Sequence, residues 1–466
     1  MLEQHFLHRF LNPKSIAIVG ASKNAFTVNY QLVNNLVNLG YKGKIFPVNP
    51  KGEEILGLKT YKKVSEIDEE IDLVVISIPA QSVLEIIREL PGRKIGGVVL
   101  ITGGFSEIGE EGRRIQDEIA RILRESGIRA MGPNVLSPVN SYQNLSISFF
   151  QLNKLIKGNV SFIFQSGMYE PRFNWIMSDF HLGVSKLLDL GNKMDVNEVD
   201  ALEYLGQDPD TEAIFIHLET IKGNARRFFE VLRNTTRTKP VIVLKGGRTE
   251  AGARVVMTHT GSMASGNDAV FDAALKQAGA IRADTLDDFL YFAKAFSYLP
   301  PLQGNRIALA TFPGGEAVLA IDHSLQYGFE IAKPGQTSYE KLKGIFPPWE
   351  IPLNPFDFGI CYTFHTMQNN HGIFIEAMLE DENVDCISLQ LPPNIYPIKP
   401  EAFFASFLKA KDKGKPLAVW PPYMLKLEGE LIEYLENNSV PVYPSAATAI
   451  KSLAALNRYR LYLKGS

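Results

Sequence analysis

The sequence predicts an α/β protein built from doubly wound parallel sheets, and two observations support this fold class. Short apolar runs rich in β-branched residues alternate along the chain with amphipathic stretches, which is the pattern of parallel α/β domains. The clearest helical stretch, at 110–127, repeats its apolar positions every three or four residues. The same alternation then returns in each third of the 466-residue chain, so we expect about three domains.

Each third of the chain supplies its own predicted strands. In the first third they lie at 14–20, 44–49, 72–78, 97–102 and 129–132. In the middle third they lie at 159–164, 185–190, 213–219 and 240–245. In the last third they lie at 306–311, 384–391, 416–420 and 441–444. The first set makes a complete mononucleotide-type unit.

Two segments mark the predicted domain boundaries. The segment YLPPLQGN at 298–305 contains two prolines and a glycine and is typical of a linker. The stretch 141–158 has no clear helical period. We therefore predict domains at 1–145, 146–299 and 300–466. Within the last domain, the proline-rich part of 340–370 predicts a loop.

Composition excludes several classes of function. The net charge is −3 and no basic block is present, which argues against nucleic acid or an anionic membrane as a partner. The first residues lack the pattern of a signal peptide, and no apolar run is long enough to span a bilayer. Cys361 and Cys386 lack metal-ligand spacing and are expected to be small buried hydrophobic residues. We expect a cytoplasmic protein without a metal centre.

The loops that follow the first strands indicate a ligand site. Open parallel sheets bind ligands at the carboxyl ends of their strands. The residues at this edge that we single out are Gly20, Ala21, Ser22, Asn49, Lys51, Pro79 and Ala80. After Gly20 there is no G-x-G-x-x-G fingerprint, and the second strand places no acidic residue for a ribose. The pattern favours a phosphate-bearing nucleotide other than NAD.

The middle third places a second set of residues at one sheet edge. They are Gln165, Ser166, Gly167, Gly191, Asn192, Glu219 and His259. The loop at Gly167 should open a helix, whose N-terminal N–H groups favour an anion. Pro171 is compatible with the first turn of that helix.

The stretch MTHTGSM at 257–263 surrounds His259 with Gly, Ala, Ser and Thr, which predicts a loop whose backbone approaches a ligand. A neutral imidazole is nucleophilic near pH 7. A carboxylate such as Glu219 can fix its tautomer and stabilise the positive ring. These residues would suit phosphoryl transfer through histidine. On spacing alone, an ordinary polar loop histidine stays open as the alternative.

The order of the motifs resembles a known family. The motifs are GAS, VNPK, IPA, TGGFSE, GPN, QSG, LGNKMDV, VIVLKGGRTEAGAR and HTGSMA. Together they resemble the NDP-forming acyl-CoA synthetases, relatives of succinyl-CoA synthetase. The pattern is most similar to the α subunit of ADP-forming acetyl-CoA synthetases. The resemblance covers essentially the whole chain and is strongest at 240–281.

The resemblance implies a reaction in which acyl-CoA, ADP and phosphate interconvert with a carboxylic acid, CoA and ATP. It implies an acyl phosphate and a phosphohistidine as intermediates, with His259 as the phosphorylated residue and Glu219 as its carboxylate partner. It assigns coenzyme A to the loops at 20–22, 49–52 and 79–81.

The resemblance also implies the remaining parts of the site. The residues near the thioester and phosphate would be Gln165, Ser166, Gly167, Gly191, Asn192, Thr260 and Gly261. In this family ADP or ATP, with Mg²⁺, binds an ATP-grasp module, and nothing in 301–466 resembles one. The resemblance therefore implies a separate ATP-grasp β chain and an assembly of α2β2 type. The expected fold is a Rossmann-like CoA-binding domain followed by two flavodoxin-like domains.

The chain departs from the family pattern beside the acyl site. The family usually has S-Q-S-G-A-L-G, where this chain has FQSGMYEP. Met168 and Tyr169 would fill space there, and Glu170 brings a negative charge. With Phe149 and Phe150 nearby, one interpretation is that the substrate is an unusual acid, aromatic or branched. Another is that the protein is a non-catalytic regulatory paralogue that binds CoA or acyl-CoA.

A nicotinamide oxidoreductase is a third possible function, and absence of NADH binding would exclude it.

Overall fold

A computed structural model describes most of the chain. The described residues are 2–260, 267–312, 314–365, 367–392, 400–422 and 429–465. Within these ranges the backbone alone is described at 257–260, 367–369, 400–402 and 429–430. Two compact units make up the chain, Met1–Asp284 and Thr285–Ser466. The division into three domains stays a prediction.

The first unit alternates strands and helices as the sequence predicts. Its strands are β1 (Ser15–Val19), β2 (Lys44–Val48), β3 (Ile71–Ile76), β4 (Ile95–Leu100), β5 (Arg129–Met131), β6 (Val139–Asn140), β7 (Leu145–Ser146), β8 (Lys157–Phe164), β9 (Val184–Asp189), β10 (Ala213–Leu218), β11 (Val241–Lys245) and β12 (Ile281–Ala283). Its α-helices are α1 (Leu7–Leu11), α2 (Val28–Asn38), α3 (Ala80–Arg88), α4 (Glu110–Glu125), α5 (Glu170–Ser178), α6 (Glu198–Gln207), α7 (Ala225–Thr236), α8 (Glu250–Thr260) and α9 (Asp268–Ala278).

The first sheet has the strand order β2-β1-β3-β4-β5, and each pair of neighbouring strands is parallel. The chain starts at a central strand, moves to one edge and then crosses to the other, which is the doubly wound arrangement. Every residue of β1 is buried. Continuous burial is expected where helices cover both faces of a parallel sheet.

The second sheet has the order β12-β11-β10-β8-β9-β6-β7. The strands from β12 to β9 are parallel, and the two-residue strands β6 and β7 add antiparallel pairs at one edge. One core cluster includes Ile16 and Val99 from the first sheet and Ile163 and Leu188 from the second. The two sheets of this unit therefore share buried apolar surface.

The second unit contains one further sheet, of order β14-β13-β16-β17, with β15 paired to β13. Its strands are β13 (Arg306–Thr311), β14 (Glu330–Ile331), β15 (Phe356–Asp357), β16 (Cys386–Gln390) and β17 (Leu417–Trp420). Its α-helices are α10 (Leu286–Tyr298), α11 (Gly314–Gln326), α12 (Gln336–Lys343), α13 (Phe358–Cys361), α14 (Met367–Glu380), α15 (Pro400–Asp412), α16 (Gly429–Asn437) and α17 (Ala446–Gly465). All three sheets agree with the predicted α/β fold class.

Two local predictions for the second unit were wrong. The predicted strand at 441–444 is reduced to a single bridge between Val419 and Val442. The proline-rich segment IFPPWEIPLNPFDFG, predicted as a loop, contains β15 and the first residues of α13. The Asp357 side chain accepts a hydrogen bond from the Gly359 N–H at 2.8 Å, which caps α13.

The predicted loop around His259 was also wrong for its first part, because the backbone is helical over α8. The Thr249 carbonyl accepts the Ala253 N–H at 2.7 Å, and its hydroxyl accepts the Gly252 N–H at 3.1 Å. Thr249 therefore caps the helix, and the alanines that follow favour its continuation. Within the described ranges, no helix has both the length and the apolarity needed to cross a membrane.

Candidate active site

A cavity of about 480 Å³ lies where the carboxyl ends of both sheets of the first unit meet. The side that belongs to the first sheet is lined by Asn29, Ser77, Ile78, Pro79, Ile101, Thr102 and Gly103. The side that belongs to the following segments is lined by Asn134, Val135, Leu136, Phe149, Gly167 and Asp189. The cavity is therefore built from loops that the sequence predicted to lie at the two sheet edges.

Gly20 allows the first loop to pack closely against the third strand. Its φ is +91°, and a Cβ there would lie 2.3 Å from the Ser77 carbonyl oxygen, so only glycine fits. The Asn29 side chain donates hydrogen bonds of 2.8 Å to the carbonyls of both Gly20 and Ser77. Asn29 thus joins two loops at the cavity wall, and sequence reasoning did not single it out.

The second loop is organised by Asn49. Its side chain donates to the Ala21 carbonyl at 2.7 Å and accepts the Lys51 N–H at 2.9 Å. Among the predicted CoA-binding residues, Pro79 lines the cavity. The others, Gly20, Ala21, Ser22, Asn49, Lys51 and Ala80, lie in or beside the loops that surround it and are not among its lining residues. Their contact with CoA stays a prediction.

Gly191 and Asn192 connect the second sheet to the first. The Asn192 N–H donates to the Pro133 carbonyl at 3.0 Å, and its side-chain amide donates to Glu107 Oε2 at 2.7 Å. Gly191 has φ +51°, and a Cβ there would lie 2.3 Å from the Pro133 oxygen. This glycine lets the two loops touch, so Gly191 and Asn192 act on the shape of the cavity.

Asp189, the last residue of β9, is a buried acid that sequence reasoning missed. It is 4% exposed and lines the cavity. Its oxygens accept the N–H groups of Leu136 at 3.1 Å and Gly191 at 3.2 Å. Burial raises the pKa of its carboxyl to about 6, and the nearby Glu170 adds to the rise, although the backbone hydrogen bonds oppose it. The signal was its place immediately before Leu190 and Gly191 in the DLGN motif.

The pKa of Asp189 predicts a pH dependence of stability. Because the folded-state pKa lies near 6, above the ordinary 3.8, the folded chain retains a proton that the unfolded chain loses. The free energy of unfolding therefore falls as pH rises through this window. Between about pH 4.5 and about pH 7.5, we expect the free energy of unfolding of wild type to fall by about 2 kcal/mol relative to that of Asp189→Asn. Urea unfolding of both proteins at both pH values measures this, and a constant difference would contradict it.

Gln165 holds the backbone next to Glu219. Its side-chain oxygen accepts the N–H groups of Glu219 at 2.9 Å and Thr220 at 3.0 Å. Its amide nitrogen donates to the Thr220 hydroxyl at 2.8 Å. The Gln165 side chain is buried, and these bonds use its oxygen and its nitrogen. The predicted role in binding phosphate stays a prediction, and the bonds indicate that Gln165 positions Glu219.

A buried ion pair fixes the same loop from its other side. Lys193 Nζ donates to Glu198 Oε2 at 2.9 Å and to the Thr220 carbonyl at 2.6 Å. Glu198 Oε1 in turn accepts the Lys222 N–H at 2.7 Å. The side chains of Lys193 and Glu198 are essentially inaccessible to solvent. The loop after β10, which begins with Glu219, is therefore held between Gln165 and this pair.

A narrow crevice continues from the cavity beside Ser166 and Gly167. It has a volume of about 10 Å³, and Gly167, Leu136 and Asp189 line both spaces. Tyr169, the residue that departs from the family pattern, is buried, with its ring stacked on Phe164 at 3.6 Å between centroids. The Tyr169 ring occupies space at the crevice wall, so the crevice as it stands has no room for an aromatic acyl group.

Glu219 lines a second cavity of about 400 Å³, together with Lys245 and Gly247. Lys245 Nζ donates to the Glu219 carbonyl at 2.7 Å. Burial lowers the pKa of Lys245, although the carboxylates of Asp268 and Glu219 oppose the shift. The segment from Lys245 leads directly into α8.

Helix α8 (Glu250–Thr260) carries the predicted phosphohistidine at its C-terminal end. It contacts the 3₁₀ turn Ser106–Ile108, which also carries the Glu107 partner of Asn192. His259 and Thr260 belong to the last turn of α8, but their side chains lie outside the described residues, as does all of Gly261. The pairing of His259 with Glu219 therefore stays a prediction.

Across the described part of the chain, no group of three or more His, Cys, Asp or Glu side chains could hold a metal ion. The site is formed instead from backbone N–H groups, amide side chains and buried carboxyl groups.

Two family descriptions match this chain. Residues 14–137 match a CoA binding domain. Residues 157–296 match the succinyl-CoA ligase like flavodoxin domain. The first matched segment contains the loops of the first sheet, and the second contains β8 to β12 with α8. The first matched segment contributes the cavity-lining residues up to Leu136, the second contributes Gly167 and Asp189, and Phe149 lies between the two matches.

Known proteins resemble the chain over nearly its whole length. The α subunit of ADP-forming acetate–CoA ligase II from Pyrococcus furiosus is 35% identical, with 94% of each chain covered. ADP-forming acetate–CoA ligase from Methanocaldococcus jannaschii is 36% identical over 96% of this chain, which spans 62% of that relative's length. The solved acetyl-coenzyme A synthetase 1 of Ca. Korarchaeum cryptofilum, in complex with phosphate and ADP, has a TM-score of 0.89, 31% identity and 98% coverage of both chains.

Proposed function

Because the chain belongs to the family of ADP-forming acetate–CoA ligase α subunits, we propose that it forms acyl-CoA or consumes it by way of phosphorylated His259. Proteins of this family are acid–thiol ligases. The observation that carries the proposal is the placement of α8: this helix leads to His259 and contacts the turn beside the cavity that both sheets form. Glu219 is the proposed carboxylate partner of the imidazole.

The first chemical step takes place in the cavity of 480 Å³. CoA is held by the loops of the first sheet, with its thioester toward Gly167. A phosphate oxygen attacks the acyl carbon, the carbon–sulfur bond breaks, and CoA leaves as the thiolate, which then takes a proton. The N–H groups at Ser166 and Gly167 stabilise the negative charge that develops on the acyl oxygen and phosphate. The product is an acyl phosphate.

The second step transfers the phosphoryl group. A ring nitrogen of His259 attacks phosphorus, the bond from phosphorus to the acyl oxygen breaks, and the acid leaves as a carboxylate. Glu219 holds the proton on the other ring nitrogen and stabilises the positive imidazole. Thr260 and Gly261 belong to the proposed phosphate-binding segment. The phosphoryl group then passes to ADP, which gives ATP and restores the histidine.

A partner chain completes this proposal. The Pyrococcus relative is named as an α subunit, and the Methanocaldococcus relative is longer than the part that this chain matches. We place ADP or ATP, with Mg²⁺, on an ATP-grasp β chain, in an assembly of α2β2 type. The Korarchaeum synthetase was solved with phosphate and ADP, which supports a nucleotide as a substrate. Buried Cys361 and Cys386, both free thiols, are compatible with the reducing cytoplasm, where we place the protein.

Labelled phosphate tests the role of His259. With an extract that supplies the partner chain and a panel of acyl-CoA thioesters, we expect wild type to gain acid-labile, base-stable label. His259→Ala should reduce the label to background, because the nucleophilic nitrogen is removed. His323→Ala, on α11 of the other unit, should keep the wild-type level.

The same experiment separates the ligase from a regulatory paralogue. Names of ligases among relatives that cover most of the chain do not favour the non-catalytic alternative. If wild type bound CoA but gained no label with any thioester, the proposed phosphohistidine mechanism would be rejected. Label that persisted in His259→Ala would reject this residue as the phosphoryl acceptor.

A further inference from the structure

The crevice beside Gly167 has an acidic lining. Two of its lining residues are buried acids, Glu170 at the start of α5 and Asp189 at the end of β9. Its described lining contains no Lys or Arg side chain. Burying a carboxylate is unfavourable unless hydrogen-bond donors stabilise it. Both carboxyl groups therefore require hydrogen-bond donors within the crevice.

Only one of the two carboxyl oxygens of Glu170 accepts hydrogen bonds from the described residues. Its side chain is 9% exposed. Oε1 accepts hydrogen bonds from the Phe149 N–H at 3.0 Å, the Phe150 N–H at 3.3 Å and the Ser148 hydroxyl. Oε2 is buried and accepts no hydrogen bond from the described residues. The carboxyl group is thus anchored by one oxygen, and the other is available to a ligand.

Asp189 strengthens the preference for a donor. It lines the same crevice, and the charge of Glu170 contributes to the upward shift of its pKa. Burial also raises the pKa of Glu170. Two buried acids in one crevice are both stabilised by a hydrogen-bond donor placed between them, and most strongly by a cation.

The dimensions of the two spaces fix the size of the donor. The crevice, at about 10 Å³, holds roughly one water-sized group. The cavity of about 480 Å³ shares Leu136, Gly167 and Asp189 with it and can take the rest of a ligand. A terminal hydroxyl or ammonium group has the size that the crevice admits, and both groups donate hydrogen bonds.

We propose that this chain selects short carboxylic acids that carry a terminal hydrogen-bond donor, a hydroxyl or an ammonium group, with Glu170 as the acceptor in the crevice. This inference rests on the proposed function, because it takes the space beside Gly167 as the acyl site. Substrates with a methyl group in the same place leave Glu170 Oε2 buried without a donor, which disfavours them.

Three acids of nearly equal size test the proposal: butyrate, 3-hydroxypropionate and 3-aminopropionate, which end in a methyl, a hydroxyl and an ammonium group. Binding to the full chain in the presence of CoA is measured by ligand-observed NMR titration, without any need for turnover. We expect at least one donor acid to bind about tenfold or more tightly than butyrate, since a hydrogen bond to a charged group has about that effect. Comparison of the two donor acids tells a hydroxyl from an ammonium preference.

Glu170→Gln identifies the acceptor. Glutamine keeps an oxygen for the Phe149 and Phe150 N–H groups but turns an NH₂ donor toward the crevice. We expect the affinity for 3-aminopropionate to fall about tenfold or more, while 3-hydroxypropionate, whose oxygen can accept from the new NH₂, loses less. The matched control Glu111→Gln, on the exposed side of α4, should bind all three acids as wild type does.

The outcomes separate this inference from the proposed function. Butyrate binding as tightly as both donor acids, or no binding by either donor acid, overturns the donor preference. An unchanged preference for 3-aminopropionate in Glu170→Gln overturns Glu170 as the acceptor. Failure of the proposed function would be seen in the labelling experiment, as absence of phosphate label on His259 despite CoA binding. The acid titrations do not depend on that result.

Discussion

Replacing Lys193 with methionine is expected to lower the free energy of unfolding by about 3–5 kcal/mol, because it leaves the Glu198 carboxylate buried without its counter-ion. The change also removes the hydrogen bond from Lys193 to the Thr220 carbonyl, next to Glu219. We therefore expect synthetase activity with the partner chain to fall as well, even at temperatures where the variant stays folded. Urea unfolding and phosphate labelling measure the two effects.

Two controls give this prediction its meaning. The double variant Lys193→Met/Glu198→Gln removes both buried charges and keeps an acceptor for the Lys222 N–H, so it should regain at least about half of the lost stability. Arg114→Met breaks an exposed pair with Glu110 and should cost less than about 1 kcal/mol. A loss for Lys193→Met no larger than that of Arg114→Met would show that the buried pair does not hold the loop.

Replacing Gly191 with alanine is expected to destabilise the first unit by about 3 kcal/mol or more. The new Cβ would lie 2.3 Å from the Pro133 oxygen and 2.4 Å from the Asn134 oxygen, so backbone has to move. Asn134 lines the cavity, and we expect the affinity for CoA to fall about tenfold. Urea unfolding measures the first effect, and titration calorimetry with CoA measures the second.

Gly223→Ala is the matched control for this change. Gly223 also has a positive φ, +79°, but a Cβ there meets nothing within 4 Å. Its cost should be the conformational one alone, about 1 kcal/mol, with CoA binding unchanged. Equal losses for both variants would mean that the contact between Gly191 and the Pro133 carbonyl has no particular importance.

The fold class and the family were predictable from the sequence, and both are confirmed by the parallel sheets and by the relatives. Long buried strands such as β3 and β10 are predictable because their sequences are continuous runs of apolar and β-branched residues. The strands that the sequence did not predict, among them β6, β7 and β12, have two or three residues each. Such segments are too short to show a repeating pattern of apolar residues. They become strands because a neighbouring strand has an open edge with which they can pair.

The candidate site was only partly predictable. Glycines and small residues at strand ends indicated the edge where the cavity lies, because that edge follows from parallel topology alone. The roles of Asn29 and Asp189 depend on contacts between residues that are far apart in the sequence, such as Asn29 with Ser77. Glu170 was noted as a departure, but its burial and its anchoring by Phe149 and Phe150 appear only in three dimensions.

The shared core of the first unit has a consequence for how the chain is made. A ribosome that has released the chain to residue 137, the end of the CoA-binding match, has released all of β1 to β5. Ile16 and Val99 would still lack Ile163 and Leu188, their companions in one core cluster. The nascent chain would therefore expose apolar surface that the second sheet later covers, and the cavity would be complete only after Asp189 has emerged. The cavity is completed late in synthesis, although the residues that line it from the first sheet are made early.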